Sequence, residues 1–156
     1  MIRRLILIVV CVAFPVSAVA GPKEDAQALF DKFLTAFSAA DVDGVVGLFT
    51  PDAQVWGTRM RDLATTPEPV REYFSSNLSN LKPNERQATA VGSVALVVLS
   101  DNAVLVSGMW QNARVVDGKA AAAAPMRISL AVVKRGDRWL IAQFHSSSRP
   151  EQPVPR

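Results

Sequence analysis

Four strand-like runs fill the second half of the chain, near Gln87–Leu99, Ala103–Val116, Pro125–Lys134 and Arg138–Ser146, and they constrain the fold more than any other feature. Turn residues separate them at Ser100-Asp101-Asn102, Asp117-Gly118 and Arg135-Gly136-Asp137. Such short links join antiparallel neighbours, because a parallel crossover needs a dozen residues or more. The expectation is an antiparallel meander. One face of such a sheet needs an apolar cover, and the first half of the chain has to supply it.

The first half has a helical period. Ala26, Leu29, Phe30, Phe33, Leu34, Phe37 and Ala40 recur at steps of three and four, while Lys23, Glu24, Asp31 and Lys32 fall largely off that stripe. Asp41 or Asp43 is placed to cap a second, short helix carrying Val45, Val46, Leu48 and Phe49, with Thr50-Pro51-Asp52 as its stop. A third helix is expected from Thr66-Pro67, threonine as N-cap and proline in the first turn, carrying Val70, Tyr73, Phe74 and Leu81. Ala53–Gly57 reads as a short strand between them. Helices followed by a meander make an α+β domain, a curved antiparallel sheet packed against a long N-terminal helix, with a cavity at the mouth of the cone.

Residues 1–20 read as a signal peptide: a basic Met1-Ile2-Arg3-Arg4, an apolar stretch from Leu5 to Val16, and the small residues Ala18-Val19-Ala20 before Gly21. The apolar stretch is short for a membrane span. The expected product is periplasmic or secreted, without a stable membrane span after cleavage. Losing Arg3 and Arg4 takes Lys+Arg from 17 to 15 against 14 Asp+Glu, so the net charge falls from +3 to +1. With no Lys/Arg run left, nucleic acid is not an expected partner. Cys11 lies in the apolar stretch, so the exported chain has no thiol for a disulfide, a metal or a nucleophile. Removing 20 residues from 156 leaves 136, enough for one domain, here 21–148. Residues 149–156, with prolines at 150, 153 and 155, are expected to form a flexible tail.

Several segments carry a resemblance: Asp41–Ala53, Val55-Trp56-Gly57-Thr58, Arg71-Glu72-Tyr73-Phe74, Trp139-Leu140-Ile141 and His145-Ser146-Ser147. In this order and spacing the chain resembles bacterial SnoaL-like proteins, and among them the SgcJ/EcaC-type branch similar to the association domain of calcium/calmodulin-dependent protein kinase II. The resemblance implies a nuclear-transport-factor-like cone with a deep pocket, dimerising through the sheet or assembling into larger rings. It implies no kinase chemistry, since the chain has neither a glycine-rich nucleotide loop nor a catalytic-loop signature. No dinucleotide fingerprint is present either.

His145, the single histidine, ends a strand-like run and enters a cluster of hydroxyls at Ser146-Ser147-Ser148. It can serve as a general base or as a donor to an anionic ligand, or it can be a structural residue bonded to those serines. Alternation groups Arg127, Ser129 and Ala131 on one face and Met126, Ile128 and Leu130 on the other. Arg127 needs a carboxylate partner, from a ligand or from the protein, unless it lies on a solvated face. The family match puts His145 at the cavity, so the expected ligand site is Arg127 and His145 pointing into one pocket, walled by Trp56 and Tyr73. The expected guest is a carboxylate or another small polar or aromatic molecule.

Asp101, Asp117 and Asp137 all fall in expected turns, which leaves the sheet interior without an obvious acid. One histidine, no cysteine in the domain and no clustered carboxylates make neither a metal site nor a claim on a cofactor. The sequence thus reads as an exported small-molecule-binding protein that self-associates as a homodimer or larger oligomer. Val94–Leu99 and Val104–Val106 leave few polar positions for a fully solvated outer sheet face. The alternatives are a small lyase, isomerase or hydrolase using His145 and Tyr73 in the same cavity, or a pure oligomerisation module.

Overall fold

The computed structural model describes residues 21–79, 81–82 and 84–149; the expected signal peptide and residues 150–156 of the expected tail lie outside the described residues. Helix α1 runs Pro22–Ser38, with Pro22 in its first turn, where a missing N–H costs nothing, and Glu24 and Asp25 facing the positive end of the helix dipole. Ala26, Leu29, Phe30, Phe33 and Phe37 form its buried face. The helix ends in a Schellman arrangement: Ala40 N–H donates to Phe37 O at 3.1 Å and Asp41 N–H to Ala36 O at 2.9 Å. That places Ala40 at φ 56°, in the left-handed region.

Asp41 then caps α2 (Val42–Val46), its side chain accepting from Gly44 N–H at 2.8 Å. The expected second helix is shorter than its pattern, because Phe49 and Thr50-Pro51-Asp52 belong to strand β1 (Phe49–Trp56). Long-range pairing decides this: Ile141 N–H donates to Leu48 O at 2.8 Å, and β1 runs parallel to the final strand, Phe49 opposite Ile141 and Trp56 opposite His145. Pro51 is tolerated because the register shifts between Phe49 and Gln54, at the edge of the sheet. Helix α3 (Pro67–Leu78) starts where expected, although Thr66 makes no side-chain capping bond. It stops before Leu81, and Leu78 takes the buried place instead.

The remaining strands are β2 (Glu85–Ser100), β3 (Ala103–Val116), β4 (Lys119–Ala120), β5 (Met126–Arg135) and β6 (Arg138–Ser148). They form one curved, unclosed sheet in the order β1-β6-β5-β3-β2, with β4 pairing β3. All pairs are antiparallel except β1 with β6, which makes the sheet mixed rather than a pure meander. Asp117 and Gly118 both have positive φ, as a two-residue type I′ hairpin requires, and Gly136 supplies the positive φ of the β5–β6 turn. Two residues of β2, Gly92 and Ser93, face a single partner between the Val91↔Trp110 and Val94↔Gly108 pairs. This bulge bends the long edge strand.

The inner face carries Trp110 and Val106 of β3, Ile128 and Leu130 of β5, and Ile141 and Phe144 of β6, all buried beneath α1 and α3. At its centre the Phe33 ring lies 5.7–6.4 Å from those of Phe30, Phe37, Phe49, Phe74, Trp110 and Phe144.

The left-handed Ala40 is a place where the sequence departs from local preference. That backbone costs an L-residue about 1–2 kcal/mol, and glycine adds about 0.5–1 kcal/mol of chain entropy, so Ala40→Gly should stabilise the fold by about 0.5–1 kcal/mol. Urea denaturation checks this; an unchanged or lowered midpoint contradicts it.

Candidate functional site

Strand alternation carries the inner face outward from the aromatic core to a polar mouth. Along β3, Trp110 is followed on the same face by Asn112 and Arg114, and their cross-strand partners on β2 are Val91, Thr89 and Gln87. Along β6, Phe144 is followed by Ser146 and Ser148. The opposite wall comes from α3, through Tyr73 and Asn77, and from the segment after β1. There Met60 N–H donates to Gly57 O at 3.0 Å, a turn that presents Thr58 and Arg59. Gly57 is required at its start because a Cβ would overlap the Tyr73 ring. Between these walls lies a cavity of about 430 Å³, with Phe37, Trp110 and Met126 as its apolar surface.

Ser146 joins the walls. Its side chain is buried; its Oγ accepts from Trp110 Nε1–H at 3.1 Å and lies 2.9 Å from Thr58 Oγ1. Arg59 Nη2 donates to Asn77 Oδ1 at 2.6 Å, and Asn77 Nδ2 donates to Tyr73 O at 2.6 Å. Arg114 pairs with Glu85 at 3.2 Å. No carboxylate among the described residues pairs with Arg59, so the cavity keeps one uncompensated positive charge. Burial pushes the Tyr73 phenol above its ordinary value near 10, against the opposing pull of a backbone hydrogen bond from Thr58 and the charge of Arg59. At neutral pH Tyr73 is therefore a hydrogen-bond donor and not a base. Among the described residues no three His, Cys, Asp or Glu side chains cluster as metal ligands.

The family described as NTF2-like protein (DUF6841) matches residues 23–149. The chain belongs to this NTF2-like family. No curated protein matches the sequence. Among solved structures, a Xanthomonas campestris protein named for the calcium/calmodulin-dependent protein kinase II association domain superposes with a TM-score of 0.71 at 21% identity, over 90% of this chain and 100% of its own. A Novosphingobium aromaticivorans protein named for an aromatic ring hydroxylase reaches 0.67 at 17% identity, over 83% of this chain and 88% of its own. A Catenulispora acidiphila protein in complex with S-DNPA reaches 0.63 at 17% identity, over 80% and 90%. At these identities the likeness is one of fold.

Within this NTF2-like domain, only Tyr73 of the four expected ligand residues lines the cavity. His145 pairs with Ser129, and Arg127 with Ser147 and Met109, all on the face opposite Phe144, Ser146 and Ile128. Trp56 lies beside His145 on that outer face and is 49% exposed. Arg127 and His145 do share a face, but it is the outer one, so neither points into the cavity. Tyr73 and His145 stand on opposite sides of the sheet and cannot act together on one bound molecule. The physical reason is the period of two: Ser146 and Ser148 turn inward only because His145 and Ser147 turn outward. The apolar set Met126, Ile128 and Leu130 marks the core side of β5, and that signal alone puts Arg127 outside. Arg59, Asn77, Gln87, Asn112 and Arg114 line the cavity without being among the residues expected from the sequence. For Asn112 and Arg114 the signal existed, in the alternation leading out from Trp110; for Arg59, on a turn, there was none.

Tyr73 is the only tyrosine in the chain, so its titration can be read directly by ultraviolet absorbance. Because its folded pKa is raised, its contribution to stability is complete below the unfolded value near 10 and is lost as pH rises through the folded value. Ionisation should occur above pH 10 in the folded protein and move down on unfolding. A folded phenol that ionises at or below the free value contradicts the burial argument.

Proposed function

We propose that this NTF2-like protein binds a small carboxylate in the concave cavity, with Arg59 as the charged anchor and Tyr73 as a neutral donor beside it. The observation that carries the reading is Arg59 itself, a cavity guanidinium whose bonded partner is an amide oxygen rather than an acid. A guanidinium offers a planar fork that matches a carboxylate, and Arg59 presents it, exposed, at the cavity mouth. The Catenulispora relative holds S-DNPA in its complex, which supports small-molecule binding on this fold. An enzymatic reading finds less support, since no acid lines the cavity among the described residues, and Glu85, beside its lining residue Arg114, is held by that arginine and by Lys82 N–H at 3.2 Å.

The same proposal has the protein exported by residues 1–20 and self-associated through the outer sheet face. Support for association comes from the exposed cross-strand pair Val97 and Leu105, at 54% and 40%, from exposed Trp56, and from the association-domain name of the Xanthomonas relative. Arg127 is an exposed charge on that face, opposite Met109.

Native mass spectrometry of protein recovered from its own compartment should find a chain starting at Gly21, in dimers or larger assemblies, with a retained small molecule. In calorimetry with benzoate as probe, Arg59→Ala should lose about 1.5–3 kcal/mol of affinity, the range for a hydrogen bond to a charged group. Wild-type affinity in Arg59→Ala overturns the anchor; a monomer across micromolar concentrations overturns association.

A further inference from the structure

We infer that two copies of the chain join along the free edge of β2, across a two-fold axis, into one continuous sheet with their α1 helices side by side on its inner face. This goes beyond the outer-face association above and uses a different surface. β2 ends the sheet, and no strand among the described residues pairs with its far edge. An open edge is a template for another strand, and natural proteins blunt it with charges, prolines or bulges. Here bulges sit at Gly92-Ser93 and at Leu99, where the register to β3 shifts. Between them Val94-Ala95-Leu96-Val97-Val98 has neither charge nor proline, and Val97 and Val98, on opposite faces of the strand, are both exposed.

The symmetry of this segment points to a second copy as the partner. Opposite residues of an antiparallel pair share a face, so a two-fold axis normal to the sheet passes through a residue that meets itself. Leu96 is the middle of the segment. With Leu96 on the axis, Val97 meets Ala95 of the second copy on the outer face and Val98 meets Val94 on the inner face. Each bulge at Leu99 then falls opposite the bulge at Ser93. The new ladder covers the unguarded segment and ends where the backbone leaves its regular register.

Helix α1 carries matching charges. A groove of about 330 Å³ beside Leu96 is lined by Lys23, Glu24, Gln27, Ala28 and Asp31. The axis through Leu96 runs past Gln27 and sets the two helices antiparallel. Lys23 and Asp31, both exposed, lie four residues to either side of Gln27, about 6 Å along the helix in each direction. Lys23 of each copy is thereby brought to Asp31 of the other, one opposite-charge contact on each side of the axis. A strand from an unrelated protein could use the backbone edge, but only a second copy brings this reciprocal order of charge.

Two measurements test the contact. In sedimentation velocity, Lys23→Asp and Asp31→Lys should each weaken assembly about three- to ten-fold, because each reversal sets like charges together on both sides of the axis, and the double reversal should return it to within about two-fold of wild type. Single variants that assemble like wild type, or a double variant as weak as the singles, overturn the inference. Because α1 covers the inner face, an assembly that ignores these reversals leaves outer-face association standing, whereas a chain that is monomeric throughout overturns both. In a Cys11→Ser background, which removes the one native cysteine, a mixture of Ala95→Cys and Val97→Cys should form the mixed disulfide dimer on mild oxidation, and neither variant alone should link. The mixed pair lies about 5 Å apart between Cα atoms, within disulfide reach, while identical positions lie about 8 Å apart. Both positions are exposed, so the substitutions leave the core untouched. Equal linking in all three samples, or none in the mixture, overturns the two-fold ladder.

Discussion

The packing of Phe33 against rings from every layer of the fold is the interaction on which the rest depends. Phe30, Phe33 and Phe37 come from α1, Phe49 from β1, Phe74 from α3, Trp110 from β3 and Phe144 from β6, so one cluster ties α1 and α3 to one edge strand and two inner strands of the sheet. Aromatic side chains bury about 150–250 Å² each, which makes such a cluster the largest apolar contribution in a domain of this size. The rings meet tilted or edge-on more often than stacked, as at Phe33–Phe74 (74°) and Trp110–Phe144 (75°). A sheet held at its centre by bulky rings, and bent at the Gly92-Ser93 bulge, curves around them. The space left at its wide end is the cavity.

The same cluster fixes the chemistry at its border. Trp110 is buried to its ring nitrogen, and the N–H needs an acceptor there; Ser146 provides it and in turn meets Thr58. Through that short chain the core positions the turn that carries Arg59. Tyr73 is set the same way, its ring 5.0 Å from Phe74 and pressed onto the bare Cα of Gly57. The mouth is thereby tied to the aromatic core through Ser146 and Gly57, while Arg59 gives one donor to Asn77.

Much of this was legible in the sequence. The α1 stripe, the Asp41 cap, the four long strands and the Asp117-Gly118 and Gly136 turns are local signals, and the structure repeats them within a few residues. The parallel pairing of β1 with β6 was not legible, because it joins Phe49 to Ile141 and overrides a helical pattern at Phe49. Alternation likewise tells which residues share a face and leaves open which face is the core. For β5 and β6 the family position of His145 and the apolar set Ile128, Leu130 and Phe144 point to opposite core faces, and burial follows the apolar set. Of the cavity residues found only in three dimensions, Asn112 and Arg114 follow the alternation out from Trp110, whereas Arg59 lies on a turn, where no periodic signal exists.

The central claim is that the Phe33 cluster holds the cone, and the most direct test is equilibrium urea denaturation of Phe33→Ala. Deleting a ring packed among six others removes its transfer energy and leaves a cavity, so the account predicts a loss of about 3–5 kcal/mol. A loss below about 1 kcal/mol, the scale of an ordinary surface substitution, would contradict it.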